Sequence, residues 1–264
     1  MAPLVGTGME IRNHTAFGST EPLPSPVPQV GLWLLELRED ADAATAEATV
    51  FAAASTLSAD ELARCAALKR PADRVRFAAT RSALRRLLAE RMDCSATSLA
   101  FATSAFGKPL LAKPGAPRFN VSHAGGCAAI AIADSGDVGI DIERVNTDLA
   151  QQELRAMAAH CFTRRERGWL EGHAPQEWPG AFHTLWSRKE ALLKALGLGI
   201  ADHLQHVSVA IASEGEGRGN RSGDTVRSES ARLAITAGEL ARIRLHGLQA
   251  PAGYVAAMAW VPPA

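Results

Sequence analysis

The segment Val138-Gly139-Ile140-Asp141-Ile142-Glu143 constrains the chain more than any other, because apolar side chains occupy every second position. A period of two is the period of a strand. Val138, Ile140 and Ile142 therefore share one face, and Gly139, Asp141 and Glu143 share the other. Two carboxylates two positions apart on a strand project side by side, about 7 Å apart from the strand rise. Such a pair repels itself unless water solvates it or a cation bridges it, and hard oxygen ligands suit Mg²⁺. Gly139 on that face leaves room for a bulky ligand. A solvated outer face and a cation site both satisfy this strand taken alone.

The chain has 264 residues, 47% hydrophobic and 21% charged, enough to bury a sizeable core without disulfides or metal staples. Strands are expected over 30–37, 98–103, 118–123, 126–133 and 138–144, and later over 207–212, 233–236, 242–246 and 254–261. Ser58 with Glu61, and Thr163 with Glu166, are capping-box helix starts. Pro71 suits the first turn of a helix running to about residue 92, and a further helix spans 180–196. Strands and helices in mixed order, without regular βαβ alternation, give an α+β fold. Residues 1–28, ending in Pro22, Pro24, Pro26 and Pro28, read as a flexible tail, and the Gly/Ser/Arg/Glu-rich stretch 213–230 as a mobile surface loop. The capping boxes precede Ala83-Leu84-Arg85-Arg86 and Ala191-Leu192-Leu193-Lys194 at similar offsets, a hint of internal duplication.

Lysine plus arginine and aspartate plus glutamate both number 28, so the net charge is zero. That excludes coating nucleic acid or an anionic membrane by charge alone. The zero conceals a segregation: residues 64–91 hold nine basic side chains and two acids, a local +7. On the helix from Pro71, Arg74, Arg81 and Arg85 form one stripe beside an apolar arc of Phe77, Leu84, Leu87 and Leu88. Arg76 falls inside that arc, where an unpaired guanidinium is costly, so it snorkels to water or meets an anion. Little aromatic interleaving disfavours a nucleic-acid module. Cys65, Cys94, Cys127 and Cys161 show no metal-binding spacing and read as free buried thiols. Neither a signal peptide nor an apolar run long enough to span a membrane is present, so a soluble cytoplasmic protein is expected.

Two further segments carry candidate chemistry. Helical spacing puts His183, Trp186, Glu190 and Lys194 on one side, next to an apolar face of Phe182, Leu185, Leu193 and Leu196. Glu190 and Lys194 are an i,i+4 pair, worth about 0.2–0.5 kcal/mol on an exposed helix, and the Trp on the same stripe argues against full exposure. Phe119-Asn120-Val121-Ser122-His123-Ala124-Gly125-Gly126 is a strand entering a glycine-rich turn. Its freed N–H groups, with Ser122 and His123, suit a phosphate; a turn with a solvent-facing His fits equally.

Gly107-Lys108-Pro109, Asn120-Val121-Ser122-His123, Gly139-Ile140-Asp141-Ile142-Glu143 and Trp186-Ser187-Arg188-Lys189-Glu190-Ala191, followed by Lys194 and Gly197, occur in this order. Together they resemble the 4′-phosphopantetheinyl transferase superfamily, in its large surfactin-synthetase-activating (Sfp-like) type, over about residues 30–261. The resemblance implies a pseudo-dimer of two similar α+β halves, 29–137 and 138–264, with the active site at their interface. It implies Mg²⁺-dependent (or Mn²⁺-dependent) transfer of 4′-phosphopantetheine from coenzyme A to a serine of an apo acyl or peptidyl carrier domain, by a monomer. By the same resemblance Asp141, Glu143 and Glu190 bind the metal, and Lys108, Ser122 and His123 line the coenzyme A site. Arg64 and Arg76 meet the nucleotide end, Lys194 sits against the pyrophosphate, and Glu190, Lys194 and His123 form the catalytic set. At Ala66-Ala67-Leu68 the chain lacks basic and aromatic residues that some members carry. The competing readings are a non-catalytic coenzyme A-binding or carrier-docking protein on the same fold, and a metal-dependent phosphoesterase.

Overall fold

A computed structural model describes residues 20–199, 203–210, 224–228 and 236–263. The strands are β1 (Thr20–Leu23), β2 (Val30–Glu36), β3 (Phe101–Thr103), β4 (Pro109–Leu111), β5 (Arg118–Ala124), β6 (Cys127–Ala133), β7 (Asp137–Arg144), β8 (Val207–Ala210), β9 (Thr225–Ser228), β10 (Arg244–Leu248) and β11 (Tyr254–Val261). The helices are α1 (Ala43–Ala53), α2 (Ala59–Ala67), α3 (Pro71–Met92), α4 (Gln151–Cys161), α5 (Arg164–Glu171), α6 (Trp178–Leu196) and α7 (Ala237–Arg242). The fold is α+β. One antiparallel sheet has the order β1-β2-β6-β5 and a second the order β10-β11-β7; β3-β4 and β8-β9 are small hairpins.

Which faces are apolar dictates how these stack. Leu35, Phe119, Ala128, Ile130 and Ile132 on one face of the first sheet pack on Leu84 and Leu88 of α3. Leu32, Ala129 and Ala131 on the other face meet Val138, Ile140, Ile142 and Met258 of the second sheet. The far face of the second sheet, with Leu245, Ala257 and Ala259, packs on Leu185 and Leu192 of α6. The order is helix, sheet, sheet, helix. Strand β6 is covered on both faces, so all seven of its residues are buried and its sequence does not alternate.

Apart from β1 in the first and α7 in the second, the two halves of the chain repeat one order of elements: strand, helix, capped helix, long helix, hairpin, two strands. In each the first strand pairs with the last, and the last with the one before it. Both capping boxes form. Each capping glutamate also accepts from a basic side chain of the long helix that follows: Glu61 from Arg85 Nε at 2.6 Å, Glu166 from Lys189 Nζ at 2.6 Å.

Gly139 does not leave room for a ligand. A Cβ there would overlap the Ala191 carbonyl oxygen and the Ala195 amide nitrogen, because α6 lies directly on this face of β7. Its cross-strand neighbour on β11 is another small residue, Ala259. Gly139→Ala is expected to destabilise the protein by about 1–3 kcal/mol, since helix backbone rather than a side-chain tip must move. An unchanged denaturation midpoint would contradict this packing.

Other expectations are corrected. Residues 20–23 of the expected tail form β1, paired with Leu32–Leu35, and Val27 is buried. Pro22 is tolerated because β1 is an edge strand. Residues 1–19 lie outside the described residues. Within 213–230, β9 pairs with β8 and is not a loop; 213–223 and 229–230 are outside the described residues, as are 211–212. The strand expected at 98–103 starts only at Phe101, after a 3₁₀ turn at Ala96–Ser98. The strand expected at 233–236 fails at Thr236, which N-caps α7; 233–235 are not described. The four cysteines are free thiols, but Cys94 is exposed and Cys161 only half-buried. No helix of the described residues is long and apolar enough to cross a membrane.

Candidate active site

Because α6 covers β7, the carboxylate face is not a solvated one, and Asp141 is only 1% exposed. Helical spacing turns Trp186, Glu190 and Lys194 onto it. Lys194 Nζ donates to Asp141 Oδ1 at 2.6 Å and pairs with Glu190 Oε2 at 3.1 Å. Trp186 Nε1 donates to Glu143 Oε1 at 3.0 Å. Ser122 Oγ, from β5, donates to Asp141 Oδ1 at 2.8 Å. His183, on the same helical stripe, stays apart and donates to the Pro179 carbonyl.

Asp141, Glu143 and Glu190 each offer one oxygen, and the three lie within 4.8 Å of one another. Three carboxylates face one ammonium, so the cluster is short of positive charge. Burial first, then Asp141 and Glu190, push the Glu143 carboxyl up to about 7. Burial also raises Glu190, against the opposing pull of Lys194. Desolvation works against the Lys194 ammonium, but Asp141 and Glu190 outweigh it and hold its pKa above the ordinary lysine value. Asp141 Oδ2 is buried with no hydrogen-bond partner among the described residues. An all-oxygen donor set with excess negative charge and an orphaned carboxylate oxygen fits a hard divalent cation such as Mg²⁺.

The raised Glu143 has a pH consequence. The folded protein binds this proton more tightly than the unfolded chain. In EDTA its contribution to stability is therefore present below about pH 4.5 and lost as pH rises through about 7. Metal-free protein should melt higher at pH 5.5 than at pH 8 by more than the Glu143→Gln variant does. Identical pH slopes in the two would contradict the burial of this carboxyl.

A groove of about 390 Å³ opens beside the cluster, lined by Arg64, Arg76, Phe77 and Arg81 of α2 and α3 and by Asn120 and His123 of β5. Desolvation, then the Arg76 guanidinium, pull the His123 imidazole below its ordinary value. Arg76 is neither stranded in apolar surroundings nor unpaired: it meets Asp73 Oδ1 at 2.9 Å and faces the groove. The stripe of Arg74, Arg81 and Arg85 is largely structural. Arg74 donates to the Leu68 carbonyl, Arg81 pairs with Glu61 at 3.0 Å, and Arg85 is 2% exposed on the same glutamate.

The expected site residues thus separate into three groups. Asp141, Glu143, Glu190, Lys194 and Ser122 come together, and Arg64, Arg76 and His123 line the adjoining groove. Lys108 is apart: its Nζ donates to the Val138 carbonyl at 3.0 Å, in a separate recess of about 140 Å³ shared with Arg118 and Asp137. Burial pushes its pKa down to about 8. Two contributors had no role from sequence. Trp186 orients Glu143, and Asn120 Oδ1 accepts from Ile140 N–H at 2.9 Å, tying β5 to β7 beside the cluster. A buried Asn between apolar strand residues was the available signal for the second.

Residues 137–258 match the sequence profile of the 4′-phosphopantetheinyl transferase superfamily. The 4′-phosphopantetheinyl transferase HetI of Nostoc sp. is 32% identical over 186 residues, covering 69% of this chain and 74% of that protein. The chain belongs to the 4′-phosphopantetheinyl transferase superfamily. A Synechocystis sp. protein provisionally named a 4′-phosphopantetheinyl transferase is 36% identical over 153 residues, 57% of this chain and 61% of that one. The 4′-phosphopantetheinyl transferase Sfp of Bacillus subtilis is 28% identical over 133 residues, covering 50% of this chain and 57% of Sfp. The segment matching the phosphopantetheinyl transferase profile contains the whole carboxylate cluster and Lys194; Arg64, Arg76, Lys108, Ser122 and His123 precede it.

Proposed function

We propose that the protein transfers the 4′-phosphopantetheine group from coenzyme A to a serine of an apo acyl or peptidyl carrier domain, releasing 3′,5′-ADP. The observation that carries this reading is the convergence of Asp141, Glu143 and Glu190 with Lys194, beside an arginine-lined groove. Asp141, Glu143 and Glu190 would hold Mg²⁺, or Mn²⁺ in its place, which when bound supplies charge neutralisation at the pyrophosphate.

The remaining work falls to the chain's own groups. Arg64 and Arg76 hold the phosphates of the nucleotide end, and His123 donates to a phosphate oxygen. Lys108, whose recess shares Pro109 and Phe119 with the groove, meets coenzyme A from that side. Glu190, its carboxyl raised by burial, takes the proton from the carrier serine. The serine oxygen forms a bond to the β-phosphorus as the bond from that phosphorus to the bridging oxygen of 3′,5′-ADP breaks. Lys194 counters the negative charge growing on the leaving group.

The chain reads as a pseudo-dimer of the Sfp-like type, with halves 29–137 and 138–264 and with β1 (Thr20–Leu23) added at the sheet edge of the first half. The repeated element order and the paired buried contacts Glu61–Arg85 and Glu166–Lys189 support this division. Ser122 and His123 come from the first half and the carboxylates from the second, so the site lies at their interface. One chain supplies every one of these residues, so a monomer suffices, and the cytoplasm is the compartment where coenzyme A and newly made apo carriers meet it. With coenzyme A and Mg²⁺, 3′,5′-ADP should appear only when an apo carrier domain is added. Release without a carrier would indicate hydrolysis by the same cluster instead.

A further inference from the structure

We propose that Ser122 is a positioning residue of the cation centre, whose hydroxyl fixes the Asp141 carboxylate with one oxygen held and the other presented to Glu143 and Glu190. This rests on the reading of the three carboxylates as a divalent-cation site, and it gives Ser122 a role different from contact with coenzyme A. Oδ1 of Asp141 accepts from Ser122 Oγ at 2.8 Å and from Lys194 Nζ at 2.6 Å, whereas Oδ2 is buried without a partner among the described residues. A carboxylate turns about its last bond with a broad, two-fold preference. Placing both donors on one oxygen removes that symmetry and leaves the other oxygen as the open ligand.

Lys194 alone holds this arrangement poorly. Its ammonium ends a flexible four-carbon stem and is shared among Asp141, Glu190 at 3.1 Å and Ser122 Oγ at 3.3 Å. Ser122 has a short side chain on a strand whose backbone is laddered to β6 opposite Ala129, and it is buried. Its partner in the task is Asn120, two residues earlier and so on the same face of β5. Asn120 grips Ile140 N–H while Ser122 grips Asp141, so consecutive same-face residues of β5 tether consecutive residues of β7. His123, next in the chain, lines the groove. The strand that meets the groove is thus the strand that sets the carboxylate.

Loss of a hydrogen-bonding partner behind a metal ligand typically weakens metal binding about 10- to 100-fold. The test is Mn²⁺ titrated into substrate-free protein, with free Mn²⁺ read by electron paramagnetic resonance, for wild type, Ser122→Ala and Ser122→Cys. The cysteine variant nearly keeps the shape but offers only a weak donor, and it carries the test if the alanine variant does not fold. Both are expected to bind Mn²⁺ about 10- to 100-fold more weakly, and to bind coenzyme A as wild type does once Mn²⁺ is saturating. Unchanged Mn²⁺ affinity would overturn the inference. So would a coenzyme A defect that persists at saturating Mn²⁺, because that is the signature of direct ligand contact. If wild-type protein itself does not bind Mn²⁺, the cation-site reading beneath the inference fails, before any variant is compared.

Discussion

Asp141→Ala is expected to lower carrier modification by at least about 1000-fold while leaving the fold intact. Groups that counter developing charge inside a water-poor site typically account for about 10²–10³ each, and Asp141 does two jobs at once. It keeps a buried Oδ2 that has no hydrogen-bond partner among the described residues, and it anchors the ammonium of Lys194. The fold survives because little is stranded: Lys194 keeps Glu190, and Ile140 keeps Asn120. The substitution also removes a like charge that raises Glu143. Carrier modification and thermal unfolding, measured together, check both halves of the expectation. Wild-type activity in this variant under limiting metal would contradict the role given to Asp141.

The largest expected loss of stability is at Lys189, one residue from the site. Lys189 and Glu166 are both 0% exposed and 2.6 Å apart. Glu166 also accepts from the backbone N–H of Thr163 and Val209, and Lys189 donates to the Val207 carbonyl. Lys189→Met leaves a carboxylate buried without its cation, which costs about 3–5 kcal/mol. Whole domains are stable by only about 5–15 kcal/mol, so much of this protein's margin would go. Adding Glu166→Gln should recover part of the loss, because the uncompensated charge goes with it. A denaturation midpoint within about 0.5 kcal/mol of wild type would contradict the pair's role in seating α6 against α5 and β8.

How much of this was legible in the sequence depended on the range of the signal. The alternation over 138–143, the two capping boxes and the helical stripe of Trp186, Glu190 and Lys194 are local patterns, and each stands in the structure where its period places it. Whether the Asp141 face met water or protein was not local, since it depended on α6 being laid over β7. Gly139 carried that information but read equally as space for a ligand. The place of the arginine stripe was not local either. A helical wheel shows Arg81 and Arg85 together, but not that Glu61, on the preceding helix, would turn them inward. Helix α1 is mostly alanine and threonine and shows no apolar stripe, and β1 hid behind prolines that an edge strand tolerates. The placement of Lys108 on Val138, away from His123, is set by tertiary contact between a hairpin and β7, which no spacing records.

The central claim is a transfer to protein, and the intact mass of the acceptor tests it most directly. Apo carrier domains of the fatty-acid, polyketide and peptide-synthetase kinds, each incubated with the protein, coenzyme A and Mg²⁺, are weighed before and after. At least one is predicted to gain the mass of a single phosphopantetheine group, with the gain abolished by EDTA and absent from a carrier whose acceptor serine is replaced by alanine. Unmodified carriers throughout, with a folded protein that binds coenzyme A, would contradict the account.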